Sequence, residues 1–221
     1  GHRTPTYSAL AKMAKRTDSS VWEKILDATN PQTLNIVAID GSGMSRPLPS
    51  PYYYIRINKQ YPVDIPLKLS LAVDTKTKKI VSLRLRAKNA HDIRDVKYLI
   101  KRLPSKPNTI VADKGYDAEW LHRFCRELGI KVCIPIRDYG KPKHNNWSLR
   151  RTTRLNKNTY ARRNMIESVF SSIKRKFGAS MNSVLYHTRR SEIYCRAIAH
   201  NIISLIIKRF STVPMYAKLD V

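Results

Sequence analysis

Three acidic residues stand at positions from which their carboxylates could converge. Asp40 ends the apolar run LNIVAID, Asp113 ends the apolar run NTIVAD, and Glu167 lies within YARRNMIESVFSSIK. Carboxylates that meet beside a buried surface raise one another's pKa, and a divalent cation removes that cost. Oxygen ligands suit Mg²⁺ or Mn²⁺, and two such ions about 4 Å apart can activate a water or a 3′-hydroxyl for attack on a phosphodiester. Taken singly, each aspartate is more often a turn or cap residue.

The segment around Glu167 predicts an amphipathic helix with a polar stripe beside its buried face. At 3.6 residues per turn, four polar side chains fall within an arc of roughly 60°: Tyr160, Arg163, Glu167 and Lys174. A neighbouring stripe is apolar and faces the core, formed by Ile166, Val169, Phe170, Ile173 and Phe177. The simpler alternative is that Arg163 and Glu167, four residues apart, form a salt bridge that only braces the helix.

The remaining patterns supply the elements that must position these acids. Apolar runs bounded by turn residues predict a strand over 34–40, a hairpin over 66–88, and further strands over 108–113 and 131–136. Helical spacing predicts helices over 6–30, 91–103, 117–130, 160–174 and 189–210. This order predicts an α/β fold, a mixed five-stranded sheet flanked by helices. Asp40 and Asp113 would then end its two most buried strands.

Other polar residues receive structural interpretations. Asp74 is expected to be a hairpin-turn residue, Asp92 the start of a helix, and Asp117 the N-cap of the next one. Lys114 and Tyr116, beside Asp113, could touch phosphate or merely occupy a loop.

The charge of the chain predicts a polyanionic partner. The 221 residues include 42 Lys and Arg against 16 Asp and Glu, a formal net charge of +26, which indicates nucleic acid. Residues 139–176 hold eleven of these cations and one acid, interleaved with Tyr139, Trp147 and Tyr160, whose rings could stack on bases. We therefore expect the cations of this stretch to contact nucleic-acid phosphates, among them Arg150, Arg151 and Arg154.

The sequence predicts a helical lead-in segment over residues 1–34 and a catalytic domain over residues 35–221, with a basic loop at 138–157.

Cys125, Cys133 and Cys195 are too few and too scattered for a disulfide framework or a zinc site, so we expect them to be reduced and buried. No membrane span or signal peptide is evident. We expect a cytoplasmic, nucleoid-associated protein.

The order Asp, Asp, Glu on this strand and helix pattern resembles the DDE transposases of prokaryotic insertion sequences. The four residues Tyr160, Arg163, Glu167 and Lys174 match the spacing of their YREK signature, and VADKGYD is similar to the segment around the family's second aspartate. The resemblance covers roughly residues 35–210 and implies an RNase H-like fold. It implies that Asp40, Asp113 and Glu167 are the catalytic residues and the ligands of Mg²⁺ or Mn²⁺, with two ions. Only 53 residues separate Asp113 from Glu167, too few for the large β insertion of some members.

The resemblance implies cleavage at transposon ends and transfer of the 3′-hydroxyl into target DNA. Arg163 and Lys174 would hold phosphate, and Tyr160 would position the strand end. The expected partner is double-stranded DNA, with a homodimer forming on it. Two alternatives stay open: a metal-dependent nuclease of the same fold, and a non-enzymatic DNA-binding remnant whose binding ignores divalent metal.

Overall fold

The computed structural model describes residues 4–46, 50–60, 66–87, 90–137, 149, 153 and 155–211, with the side chains of 208–211 excepted. The strands are β1 (Ile36–Met44), β2 (Leu67–Asp74), β3 (Ile80–Arg86), β4 (Thr109–Val111) and β5 (Lys131–Cys133). The helices are α1 (Tyr7–Arg16), α2 (Ser19–Ala28), α3 (Pro51–Arg56), α4 (Ile93–Lys101), α5 (Glu119–Glu127), α6 (Lys157–Ala161), α7 (Asn164–Phe177) and α8 (Tyr186–Ser211). A short 3₁₀ turn spans Lys114–Tyr116.

The five strands form one mixed sheet in the order β3-β2-β1-β4-β5. The pairs β1–β2 and β2–β3 are antiparallel, whereas β1–β4 and β4–β5 are parallel. Ala38 lies opposite Val111 in the parallel pair. Asp40 and Asp113 each lie two residues beyond that pair. They therefore lie at the same level along the strand direction.

Helices cover both faces of the sheet, because alternating residues of β1 serve two separate cores. Val37 and Ile39 join the core under α4 and α5, while Ala38 and Met44 join the core under α2, α7 and α8. Asp40 has the parity of Ala38 and Met44, which places it on the α7 face. The fold class predicted from the sequence, an α/β fold with a mixed sheet of five strands flanked by helices, is confirmed.

Helix α7 is held firmly against this sheet. Its apolar stripe is buried at Ile166, Val169, Phe170 and Ile173, as the spacing predicts. The helix ends at Gly178, whose φ of 87° lies in the region that favours glycine. Beyond it, Ser180 bridges to Ser45 at the end of β1, and Arg196 of α8 donates to the carbonyls of Gly178 and Ser180. The C-terminal end of α7 is thereby fixed to the end of β1.

The structure corrects the prediction that a strand stops at Asp40. Strand β1 continues to Met44, so Asp40 lies in its middle. The Gly-Ser-Gly composition after Asp40 is typical of a turn, but pairing of Met44 with Leu67 of β2 keeps the segment extended. Pairing of β1 with β4 does stop close to Asp40, because its last pair is Ala38 with Val111.

The predicted continuous helix over 160–174 is also wrong, because α6 and α7 are separate. Between them, the amides of Arg163 and Ile166 donate to carbonyls three residues earlier, at Tyr160 and Arg163. Such hydrogen bonds tighten the backbone and change the angular spacing of the side chains. Tyr160 therefore lies on α6, half-buried against the core, rather than on the polar stripe of α7.

Several smaller expectations are settled as well. Asp74 is a turn residue, since its Oδ2 accepts from the amide and the hydroxyl of Thr77. The cysteines are free thiols, but Cys195 is exposed, contrary to the prediction that all three are buried. Within the described part of the chain, no helix combines the length and apolar character that a membrane span needs.

Candidate active site

Asp40 and Asp113 form the acidic centre of the candidate site. Both are partly exposed side chains at the same level of neighbouring parallel strands. Each accepts a local backbone hydrogen bond of 2.8 Å, Asp40 Oδ1 from Gly41 and Asp113 Oδ1 from Gly115. The turn or cap role considered for each aspartate therefore occupies one oxygen of its carboxylate, Oδ1.

The two aspartates interact electrostatically. Burial raises the pKa of Asp40, and the negative charges of Asp113 and Asp92 raise that pKa further. The Gly41 amide and the Arg163 guanidinium act in the opposite direction without cancelling the rise. Burial and the neighbouring carboxylates therefore disfavour the ionised form of Asp40, and an additional cation beside it would be stabilising.

Glu167 reaches this centre through Arg163. Arg163, the N-cap of α7, places Nη1 3.4 Å from Asp40 Oδ2 and Nη2 2.6 Å from Glu167 Oε1. Burial lowers the pKa of the guanidinium, but Glu167 and Asp40 outweigh that effect and raise it. The salt bridge expected as the simpler alternative does form, and it extends beyond the helix to β1.

Lys174 also belongs to the contact between β1 and α7, called here the β1–α7 seam. This seam is formed by Asp40 and Ser42 of β1 and by Arg163, Glu167 and Lys174 on the α7 side. Its Nζ donates to Ser42 Oγ over 2.8 Å, and Ser42 lies two residues after Asp40 on the same face of β1. One strand therefore contacts both cations of the predicted signature. Local sequence patterns did not point to Ser42, because a serine between two glycines is typical of a turn.

Asp92 and Lys68 form a further charged pair that sequence reasoning left out of the site. Asp92 occupies the N-cap position of α4 without a capping hydrogen bond to its side chain, and it pairs instead with Lys68 of β2. The pair lies over Gly41, on the face of β1 opposite Asp40. In the sequence, this pair was indicated only by Gly41, the glycine directly after Asp40.

The remaining predicted residues are not gathered at this centre. Tyr116 is fully buried, so the suggestion that it could touch phosphate is wrong, whereas Lys114 is exposed. Asp117 is not the N-cap of α5; it is buried and accepts from the Arg137 amide, beside His122. Arg150, Arg151 and Arg154 lie outside the described residues.

The donor chemistry of the site suits a divalent cation at the aspartates. Among the described residues, no three Asp, Glu, His or Cys side chains converge closely enough to form a ready metal cluster. Asp40 and Asp113 nevertheless supply carboxylate oxygens, the ligands that Mg²⁺ and Mn²⁺ prefer. Arg163 presently links Glu167 to Asp40, so Glu167 would have to leave the guanidinium to join a metal.

The chain is similar to one protein family and, more distantly, to solved structures. No curated protein matches the chain. One similar solved structure is the cryo-EM structure of a simian T-cell lymphotropic virus intasome in complex with PP2A regulatory subunit B56 gamma. Its identity is 14%, its TM-score is 0.37, and the match covers 76% of this chain and 49% of that chain, so this chain spans about half the length of the intasome chain. The family model for the transposase DDE domain matches residues 31–202, more than three quarters of the sequence. The chain belongs to the transposase DDE domain family.

Proposed function

We propose that this chain catalyses metal-dependent cleavage of phosphodiester bonds at transposon ends and transfers the resulting 3′-hydroxyl into target DNA. The observation that supports this most strongly is the position of Asp40 and Asp113, each two residues beyond the paired Ala38 and Val111 of parallel strands, beside a helix that presents Arg163, Glu167 and Lys174. Acids and phosphate-binding cations thus share one seam. The same residues support the narrower assignment to the YREK group of insertion-sequence transposases.

In this proposal, Asp40, Asp113 and Glu167 are the catalytic residues and hold Mg²⁺ or Mn²⁺, with two ions. Bound there, the metal would lower the pKa of the attacking water or 3′-hydroxyl and offset the charge of the phosphodiester. The protein contributes rigidity, since β1 and α7 are fixed to each other at Ser45–Ser180. Asp40 is placed by strand β1, and Asp113 by the end of β4 and the 3₁₀ turn that Asp113 caps.

The cations of the seam would hold the DNA. Arg163 offers a planar fork that suits a phosphate, and Lys174 offers a point charge held by Ser42. Tyr160, half-buried on α6, would position the strand end. Arg150, Arg151 and Arg154 would extend the contact along the backbone of double-stranded DNA, as the net charge of +26 favours. We further propose a homodimer on DNA, and a division into a lead-in segment (1–34) and a catalytic domain (35–221).

The deciding experiment is an assay of cleavage and of joining from a pre-cut end, in Mg²⁺ or Mn²⁺. Wild type should do both, whereas Glu167→Gln should do neither and should bind DNA equally well or slightly more tightly, because it loses repulsion with phosphate. Glu127→Gln, which removes an exposed acid on α5, is the matched control and should behave as wild type.

The outcomes separate the alternatives. Cleavage without joining would support the metal-dependent nuclease, and DNA binding that ignores metal without any cleavage would support the non-enzymatic remnant. A Glu167→Gln protein that cuts at the wild-type rate would contradict the assignment of Glu167, leaving only its salt bridge with Arg163.

A further inference from the structure

Arg163 engages two residues that the proposed function assigns to metal. Its guanidinium contacts Asp40, 123 positions away in the chain, as well as Glu167, one helical turn away. The Arg163 and Asp40 side chains are 20% and 19% exposed, so this contact is partly screened from water, whereas Glu167 is 56% exposed. A residue that merely braced α7 would need only the second contact.

The Arg163 guanidinium and a metal ion would compete for the same carboxylate oxygens, those of Asp40 and Glu167. A divalent ion bound to Asp40 and Glu167 would lie beside the guanidinium, and like charges at that separation repel. Movement of the guanidinium away from the carboxylates would remove this repulsion. Arg163 is therefore placed to oppose metal binding as long as it stays between the two acids.

A DNA phosphate offers Arg163 an alternative partner of matching geometry. Arginine binds phosphate through two parallel N–H···O bonds, as it does a carboxylate. Lys174 lies in the same seam with its ammonium on Ser42, so a strand contacting Lys174 would run close to Arg163. The two cations differ, because only Arg163 contacts the acids assigned to metal.

We propose that Arg163 couples DNA binding to metal binding by exchanging between these carboxylates and a DNA phosphate. The inference rests on the proposed function, since it takes Asp40 and Glu167 as metal ligands. Phosphate binding releases the two acids, and metal binding to the acids releases Arg163 toward phosphate. Coupling between two ligands is reciprocal, so each one tightens the binding of the other.

The test is calorimetric titration of Mn²⁺ into wild type, Arg163→Gln and Arg162→Gln. Arg162 is the matched control: it adjoins Arg163 and is exposed, and the substitution removes the same charge. Arg163→Gln should bind Mn²⁺ about 3- to 10-fold more tightly than Arg162→Gln, the range expected when partly exposed ion pairs no longer compete. A short duplex of arbitrary sequence should tighten Mn²⁺ binding in wild type and in Arg162→Gln, and should have little effect in Arg163→Gln.

Each outcome of the Mn²⁺ titration either supports or overturns the proposed coupling. Equal or weaker Mn²⁺ binding by Arg163→Gln than by Arg162→Gln would overturn the coupling and leave the metal site intact. Absence of Mn²⁺ binding in every protein would overturn both the coupling and the metal-dependent function. If Arg163→Gln does not fold, Arg163→Lys replaces it, since a lysine cannot span both carboxylates and should give an intermediate affinity; a wild-type affinity would overturn the proposal.

Discussion

Gly41 and Asp92 are in such close contact that a β-carbon on Gly41 would lie 2.5 Å from Asp92 Oδ1. The same β-carbon would lie 2.7 Å from Lys68 Cε. The absence of a side chain at Gly41, directly after Asp40, leaves room for the charged pair that lies over it. Asp92, at the start of α4, and Lys68 of β2 thereby approach the backbone of β1 closely.

Gly41→Ala should therefore destabilise the protein by about 1 kcal/mol, the low end of the range for overpacking, because the atoms it meets are the ends of side chains that can shift. Gly43→Ala is the matched control and should change stability little, because among the described residues its β-carbon would meet Pro66 alone, at 3.5 Å and beyond. Urea unfolding of both variants is the measurement. Adding Asp92→Ala should relieve part of the cost of Gly41→Ala, and a strictly additive double variant would contradict this explanation.

Asp40→Asn should stabilise the fold at neutral pH in the presence of a chelator. Burial raises the pKa of Asp40, with Asp113 and Asp92 adding to the rise. Since the folded-state pKa lies above the unfolded one, the ionised carboxylate costs stability as the pH rises through that interval. The advantage of Asp40→Asn should disappear below the ordinary aspartate pKa of about 4.

The measurement is the free energy of unfolding of wild type and Asp40→Asn across acidic and neutral pH. Asp18→Asn is the control of opposite sign, because hydrogen bonds from the Ser20 amide and the Ser19 hydroxyl lower the pKa of Asp18. It should not stabilise the protein at neutral pH. A lower stability of Asp40→Asn than of wild type at neutral pH would show that Asp40 is needed to hold Arg163.

Mg²⁺ or Mn²⁺ should raise the stability of the native protein. A ligand that binds only the folded chain adds RT ln(1 + [L]/Kd), which is about 2.7 kcal/mol at a 100-fold excess over Kd. Asp113→Asn should abolish the increase, whereas Glu127→Gln, at an exposed position on α5, should retain it. Thermal melting with increasing metal provides the readout, and an identical rise in Asp113→Asn would place the metal elsewhere.

DNA affinity should depend steeply on salt. Each phosphate neutralised contributes about 0.9 to the slope of log K against log salt on duplex DNA. Replacing Arg150, Arg151 and Arg154 together should flatten the slope by up to about 3, and Lys174→Ala by about 1. Lys12→Ala, at an exposed position on α1, is the control. Unchanged slopes in the first two proteins would place the DNA path elsewhere.

Much of the fold could be predicted from the sequence, because the strands and helices have strong and distinct hydrophobic periods. The hairpin of β2 and β3, helix α4 and the buried stripe of α7 all follow local patterns. The meeting of Asp40 and Asp113 at one level of the sheet also followed, because the apolar runs that precede them form neighbouring parallel strands, although β1 continues past Asp40.

Other features depend on contacts between distant residues and have no local signature. The extension of β1 through Gly41 and Gly43 rests on pairing with β2. The position of Asp92 beside the site rests on Lys68, 24 residues earlier. Likewise, the contact of Arg163 with Asp40 requires the packing of α7 on β1, and helix geometry alone predicted only its contact with Glu167.

The most direct test of the account is anomalous diffraction from crystals of the protein soaked in MnCl₂. The account predicts Mn²⁺ bound by Asp40 and Asp113, with Glu167 released from Arg163 and joining the metal. Asp113→Asn crystals, soaked in the same way, should lose this anomalous signal. Mn²⁺ located away from all three acids, or Arg163 still joining Asp40 to Glu167 at saturating metal, would contradict the claim that these three carboxylates form the catalytic metal site.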